Sequence, residues 1–290
     1  MASGVTAPGV AGVRVPGRGV RHDLRAVKIV LHRELLRFAN DRTRLVSTLF
    51  QPVLWLFVIG TGLGGLVARG PAQGVDFRTF IYPGVIAMTV ITTAMFSAGS
   101  IVWDREFGFL REMLVAPVSR ASIVLGKCLG GGLVATVQGC VILAMAGLVH
   151  VPYSPGLLLT LLGEMFLAAF TITAFGVSLA ARMKTMQSFF GVMQMAIMPM
   201  IFLSGAVFPL AGLPGWLGAL TKVNPLTYVV DPMRHAVFTH LAVSPAAART
   251  LNPGVHWFGH RVPIGLELGI VALMGVALLG VAIAQFRRSD

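Results

Sequence analysis

Charge is scarce in this sequence: only 12% of its 290 residues are Asp, Glu, Lys or Arg, whereas 56% are hydrophobic. A soluble domain usually carries about 25% charged residues, so the composition predicts an integral membrane protein. The formal net charge of +12 would suggest a nucleic-acid partner on a soluble protein. Membrane topology alone can produce such an excess, so the basic residues must first be mapped against the apolar segments.

Cysteine and catalytic motifs are also scarce. Cys128 and Cys140 lie in one apolar segment without CxxC or Cys/His spacing, so we interpret them as small apolar packing residues. Gly126–Lys127 is not a P-loop, because Cys128 follows where Ser or Thr is required. His256 and His260 lie in a loop-forming Gly/Pro segment, which disfavours a metal site. The sequence therefore predicts no metal, no cofactor and no catalytic residue in this chain.

Six apolar segments are long enough to cross a membrane, since a spanning helix needs about 20 such residues. They lie at about 45–67, 80–103, 122–149, 157–181, 188–208 and 264–286. In the first, Gly60, Gly62 and Gly65 have the spacing of a dinucleotide motif, but helix packing through Gly60 and Gly64 is the better interpretation. Glu164 lies inside the fourth segment, where a functional and a structural role stay equally open.

The distribution of basic residues predicts the orientation. With both termini in the cytoplasm, 17 of the 23 Lys and Arg residues fall on the cytoplasmic side, as the positive-inside rule requires. We therefore predict a multi-pass protein of the plasma (inner) membrane with no nucleic-acid partner. Residues 1–20 have no apolar signal-peptide core and predict a disordered, basic cytoplasmic tail.

Two further helical regions are predicted outside the spans. Apolar residues recur at helical spacing over 21–44 with basic residues between them, which indicates an amphipathic helix in the cytoplasmic interface and contact with membrane lipids. Between the fifth and sixth spans, prolines divide an apolar stretch into pieces too short to cross. We expect re-entrant or interfacial helices there, on the external side. The fold class is thus an all-α membrane protein.

A segment of balanced charge separates the second and third spans. It carries three acids and three bases: Asp104, Arg105, Glu106, Arg111, Glu112 and Arg120. A short helix over 106–115 would place its apolar residues on one stripe and end before Pro117. Such a neutral mixture is unlike a polybasic lipid-binding patch and favours docking to a protein surface. A plain loop between spans is the alternative.

Two stretches carry a family resemblance. DREFGFLREMLVAPVSRASIVLGK resembles the cytoplasmic segment of ABC-transporter permeases of the type-2 export family. Residues 202–234, FLSGAVFPLAGLPGWLGALTKVNPLTYVVDPMR, resemble the external signature of the same family, closest to its daunorubicin-resistance and nodulation lipooligosaccharide branches. The resemblance covers nearly everything after residue 20, with residues 45–290 as a six-span permease domain.

The resemblance implies a half-transporter that forms a homodimer and binds two copies of a separate cytosolic ABC ATPase, which holds the ATP and Mg. Residues 104–120 would be the coupling helix seated in that ATPase. The coupling residues it implies are Arg105, Glu106, Gly108, Arg111, Glu112, Pro117 and Arg120.

The resemblance also implies a cargo path along spans 2 and 5. The candidates are Met88, Met95, Phe96, Phe189, Met193, Met198 and Phe202. Methionine adapts to varied apolar ligands, although helix packing explains any one of these residues equally well. An external cap would contain Phe208, Asn224, Pro225 and Tyr228.

The expected cargo is an amphipathic or hydrophobic compound such as a drug. A lipid-linked saccharide is the alternative cargo. A stand-alone ion-coupled carrier or membrane enzyme is the alternative from another class, but it would need more intramembrane acids or a catalytic set.

Overall fold

The computed structural model describes residues 20–67, 76–108, 119–210, 213–241, 251–257 and 259–288, which are mostly helical. The helices are α1 (Val20–Asn40), α2 (Arg42–Leu54), α3 (Gly60–Val67), α4 (Phe77–Ala98), α5 (Ser100–Glu106), α6 (Arg120–Leu143), α7 (Pro155–Ala180), α8 (Met186–Leu203), α9 (Gly215–Val223), α10 (Thr227–Thr239) and α11 (Ile264–Arg288). One π-helical turn, Trp55–Ile59, joins α2 to α3, and a 3-10 turn, Ala146–Val149, follows α6.

Six of these helical stretches are long and apolar enough to cross a membrane, as the sequence predicted. In chain order, spans 1 to 6 are Leu45–Gly64, Phe77–Glu106, Arg120–Leu143, Pro155–Ala180, Met186–Leu203 and Ile264–Arg287. Span 5 ends at Leu203 rather than at 208, because Gly205 adopts a φ of +78° and the backbone turns there. Span 3 likewise ends at Leu143, before the 3-10 turn.

Spans 2, 3 and 4 form the centre of the molecule. In their most apolar stretches 83%, 72% and 56% of the residues are buried, against 17%, 17% and 22% in spans 1, 5 and 6. Small residues bring the central helices together: a Cβ on Gly131 would lie 2.7 Å from Thr173, and one on Gly176 would lie 2.6 Å from Ala98. Spans 1, 5 and 6 therefore lie at the periphery of the described structure.

The glycines of span 1 behave differently from one another. A Cβ on Gly60 would lie 2.8 Å from the Arg78 side chain, so Gly60 allows span 1 to approach span 2. Gly64 has no neighbour within 4 Å among the described residues. The packing prediction is therefore confirmed for Gly60 and stays a prediction for Gly64.

Helix α1 forms where the amphipathic pattern predicted it and packs against span 3. Val30 fills the space above Gly126, and the Glu34 side chain lies over Gly130. Phe38 is buried, whereas Ile29, on the opposite side of the helix, is exposed. The helix is thus partly covered by span 3, and its place in a membrane interface stays a prediction.

Two short helices, α9 and α10, occupy the connection between spans 5 and 6. They have 9 and 13 residues, too few to cross a membrane, as the proline pattern predicted. Helix α10 is almost entirely buried and packs against spans 2, 4 and 6. Its re-entrant character stays a prediction.

The all-α prediction needs one correction, because a small antiparallel hairpin follows α10. Strand β1 (His256–Trp257) pairs with β2 (His260–Arg261). Gly259, with a φ of +83°, supplies a backbone conformation suited to so tight a turn. His256 and His260 therefore belong to a hairpin, in agreement with the loop interpretation of this segment.

Candidate functional site

A cavity of about 290 Å³ lies between spans 1, 2 and 5. Its lining residues are Ser47, Thr48, Gln51, Pro52, Trp55, Met88, Thr92, Phe96, Met198, Ile201 and Phe202. Four of the seven residues proposed for a cargo path are among them: Met88, Phe96, Met198 and Phe202. The cavity is thus walled mainly by sulfur, aromatic and aliphatic groups.

The other three proposed path residues do not line this cavity. Met95 is buried and its sulfur lies against Gly176 of span 4. The Phe189 ring, also buried, lies against Gly99 at the junction of α4 and α5. Met193 is likewise buried. In the described structure these side chains pack between helices, which was the alternative left open by the sequence.

Sequence analysis missed the polar wall of the cavity. Ser47, Thr48 and Gln51 come from one turn at the start of span 1, and Thr92 faces them from span 2. Gln138 of span 3 holds this turn in place by donating to the carbonyl of Leu45 at 3.1 Å and to the Thr48 hydroxyl at 2.9 Å. The signal was present as three polar residues on one helical face of an otherwise apolar span.

A buried ion cluster lies where α1 meets spans 2 and 3. The Lys127 ammonium donates to Glu34 at 2.7 Å, to Ser100 at 2.8 Å and to Asp104 at 2.7 Å. All three of its protons are therefore used, and its side chain is only 2% exposed. A buried lysine is stable only with such complete pairing, since an uncompensated charge is costly away from water.

Asp104 joins this cluster to the basic face of α1. The Arg33 guanidinium donates to both of its carboxylate oxygens, at 2.8 and 2.7 Å. Arg37 lies 3.8 Å from the same carboxylate and 5.5 Å from the centre of the Trp103 ring. Asp104 is therefore turned inward, away from any docking surface on the balanced-charge segment.

The next two residues contact the turn between spans 4 and 5. The Arg105 guanidinium donates to the carbonyls of Ala181 at 3.1 Å and Met183 at 2.5 Å. The Glu106 carboxylate accepts a hydrogen bond of 3.1 Å from the Met186 amide, at the first residue of span 5. Both side chains thus bind backbone groups within the chain, and their proposed contact with an ATPase stays a prediction.

Helix α5 ends at Glu106, where the sequence predicted a helix over 106–115 to begin, and most of that predicted helix lies outside the described residues. Gly108 has a φ of +84°, and its amide bonds to the Arg105 carbonyl, so it terminates α5 as a C-terminal glycine commonly does. Arg111, Glu112 and Pro117 lie outside the described residues. On the far side of that gap, Arg120 donates to the carbonyls of Phe286 and Arg287 at 2.8 and 3.2 Å.

Two of the four proposed cap residues, Asn224 and Tyr228, form hydrogen bonds near the other end of span 5. Asn224 donates to the Met200 carbonyl at 2.7 Å and accepts from the Leu226 amide. The Tyr228 hydroxyl donates to the Lys222 carbonyl at 2.6 Å and accepts from the Trp257 indole at 3.0 Å. Burial raises the pKa of Tyr228. Phe208 is half-buried in the stretch that follows span 5, and Pro225 directly follows Asn224.

Buried charged residues lie on α10 and on the helices that pack against it. Arg234 donates to the Gly205 carbonyl and lies 4.6 Å from the Phe80 ring centre. Burial lowers the pKa of Arg234 to about 10, so it stays protonated at neutral pH. Glu164 is buried, with one carboxylate oxygen that bonds to no described residue. Its role stays open between structure and function.

Comparison with known proteins gives the family. A model described as ABC-2 type transporter matches residues 25–238. Nodulation protein J of Rhizobium leguminosarum bv. viciae is 30% identical over 66% of this chain and 73% of its own length. A protein of Cyanophora paradoxa named as a transport permease, ycf38, is 29% identical over 71% of this chain and 72% of its own.

A relative in Escherichia coli K12 bears a more specific name. YbhR, named as a multidrug ABC transporter permease, is 32% identical over 54% of this chain and 43% of its own length. The match covers less than half of that relative.

Proposed function

The chain belongs to the ABC-2 type transporter family, and we propose that it is the permease subunit of an ATP-driven exporter. Membership implies that it works with an ABC ATPase subunit. In the assembly we propose, two copies of the chain lie in the plasma membrane with cytoplasmic termini and bind two ATPase subunits, which hold ATP and Mg. Segment 104–120 docks to the ATPase, with Arg111, Glu112 and Pro117 as candidate contacts.

The cavity between spans 1, 2 and 5 is the observation that carries the proposal. Its wall combines Met88, Met198 and aromatic rings with the hydroxyl and amide groups of Thr48 and Gln51. An apolar pocket with a few convergent polar groups is the usual form of a small-molecule site. The lining therefore favours an amphipathic compound, such as a drug, as the cargo. The name of YbhR points to the same class of cargo.

A lipid-linked saccharide is the second candidate cargo. Ser47, Thr48 and Gln51 offer hydroxyl and amide groups on one side of the cavity, and such groups suit the hydroxyls of a sugar. The relative named Nodulation protein J is consistent with this branch of the family. A saccharide would need hydrogen bonds from these polar residues, whereas an apolar dye would not.

Transport by inverted membrane vesicles tests the proposal. The chain is expressed with an ABC ATPase subunit that co-purifies with it, and uptake of fluorescent amphipathic dyes and of a fluorescent glycolipid is followed. We expect ATP-dependent uptake that is lost without the ATPase and persists when an ionophore collapses the ion gradients. Uptake that needs the gradients and no ATP would instead support an ion-coupled carrier.

A further inference from the structure

Hydrogen bonds hold span 5 at both of its ends. It is one of the least buried spans, with Met195 on its outer side 81% exposed. At its C-terminal end, Asn224 and Thr227 donate to the carbonyls of Met200 and Leu203. At its N-terminal end, the Met186 amide donates to Glu106. Phe189, Met193 and Ile197 are buried on its inner side, and the hydrogen bonds at the two ends fix the helix relative to its neighbours.

The contacts of Arg105 and Glu106 suit the two helix ends that they meet. The last carbonyls of a helix carry partial negative charge and lack partners within the helix, whereas its first amides carry partial positive charge. Arg105 places a cation on the carbonyls that follow span 4, and Glu106 places an anion at the first amide of span 5. Exchanging the two side chains would place a carboxylate beside the carbonyls and a guanidinium beside the amide. Both contacts would be unfavourable, so the order Arg-Glu matters.

These two residues are also the last charged residues before the chain leaves span 2 toward residues 107–119, which we call the coupling segment. Asp104, one residue earlier, is fixed to α1 and span 3 through Arg33 and Lys127. The residues that bracket the coupling segment thus contact α1, span 3, the span 4–5 turn and, through Arg120, the end of span 6. A displacement of this segment would act on the N-terminal end of span 5 through Glu106.

We propose that Arg105 and Glu106 are positioning residues that bind the coupling segment to the span 4–5 turn, so that span 5, a wall of the cavity, moves with that segment. In the described structure both side chains bind backbone groups of this chain. The link to transport rests on the proposed function; the positioning of span 5 does not.

Distances between spin labels test the positioning directly. The full chain carries Cys140→Ala, with labels attached through Leu159→Cys in span 4 and Met195→Cys in span 5, and is measured by pulsed EPR in lipid nanodiscs. Positions 159 and 195 are exposed, whereas Cys128 is fully buried. We expect Glu106→Ala to broaden the distance distribution roughly twofold, since it frees one end of a weakly packed helix. Glu106→Gln keeps an oxygen acceptor for the Met186 amide and should keep the original width.

Lys184→Ala is the matched control, because Lys184 is an exposed charge in the same turn. An unchanged distribution in Glu106→Ala would overturn the proposal. In vesicles that contain the ATPase, Glu106→Ala should lose most ATP-driven uptake, and Glu106→Gln should restore it. Unchanged uptake with a broadened distribution would overturn the coupling role. A wild-type chain without ATP-driven uptake would contradict the proposed function alone, because the distance measurement needs neither ATP nor cargo.

Discussion

The Lys127 ammonium lies 2.7 Å from the Asp104 carboxylate, and the two residues flank the coupling segment on spans 3 and 2. Glu34 binds the same ammonium at 2.7 Å, so α1 is fixed to both spans at this point. This buried ion cluster holds the three helices together through the shared ammonium, because without it Glu34 would lose its cation and Asp104 would keep only the arginines of α1.

Removing the cation should therefore destabilise the chain strongly. Lys127→Met leaves Glu34 and Asp104 buried without their shared partner, and we expect a loss of about 3–5 kcal/mol in stability. Thermal unfolding in detergent measures it, with Lys184→Met as the exposed control. The triple variant Glu34→Gln, Asp104→Asn and Lys127→Met should recover much of the lost stability. An unaltered unfolding midpoint in Lys127→Met would show that this ion cluster does not stabilise the fold.

Filling the cavity should block export without detaching the ATPase. Thr92→Phe adds an aromatic ring to the cavity of about 290 Å³, and we expect dye uptake to fall roughly tenfold because the cargo loses its space. Met195→Phe, on the exposed side of span 5, is the control of equal size and should transport normally. Equal uptake by Thr92→Phe and wild type would mean that cargo does not use this cavity.

The polar wall should separate the two candidate cargoes. Gln51→Leu removes an amide from the cavity while keeping a similar volume. Glycolipid uptake should fall about tenfold if sugar hydroxyls bind there, since a lost hydrogen bond in a site built for it is costly. Uptake of apolar dyes should hold or improve. A glycolipid uptake unaffected by Gln51→Leu would exclude this wall as the saccharide site.

Close packing between span 2 and the turn after span 5 should tolerate no added methyl group. A Cβ on Gly84 would overlap the backbone of Ala206, so we expect Gly84→Ala to cost about 1–3 kcal/mol. Gly62→Ala is the control, since a Cβ there would meet no atom of the described residues within 4 Å. Comparing their unfolding midpoints tests the contact, and two equal midpoints would show that the turn can move away.

The contrast among the cargo-path candidates shows where sequence reasoning stops. Spans 2 and 5 are apolar on every side, so no amphipathic pattern indicates which side faces the cavity. Met88 and Phe96 line it, whereas Met95 packs against span 4, one position away from Phe96. Residue type identified side chains that suit an apolar cargo. Only the rotation of each helix about its axis shows which of them face the cavity and which pack against other helices.

The sequence by itself determined the six spans, because burying a helix in lipid requires long apolar runs that are visible without any neighbour. It also determined the amphipathic α1 and the proline-divided helices α9 and α10, whose patterns are local. The tertiary structure decided how the charged segment is used. Asp104 meets Arg33 across 71 positions and Lys127 meets Glu34 across 93, and no local pattern encodes such distant pairs. The charges of this segment look like one exposed surface in the sequence. In the folded chain they point to different partners, since each buried charge must be paired.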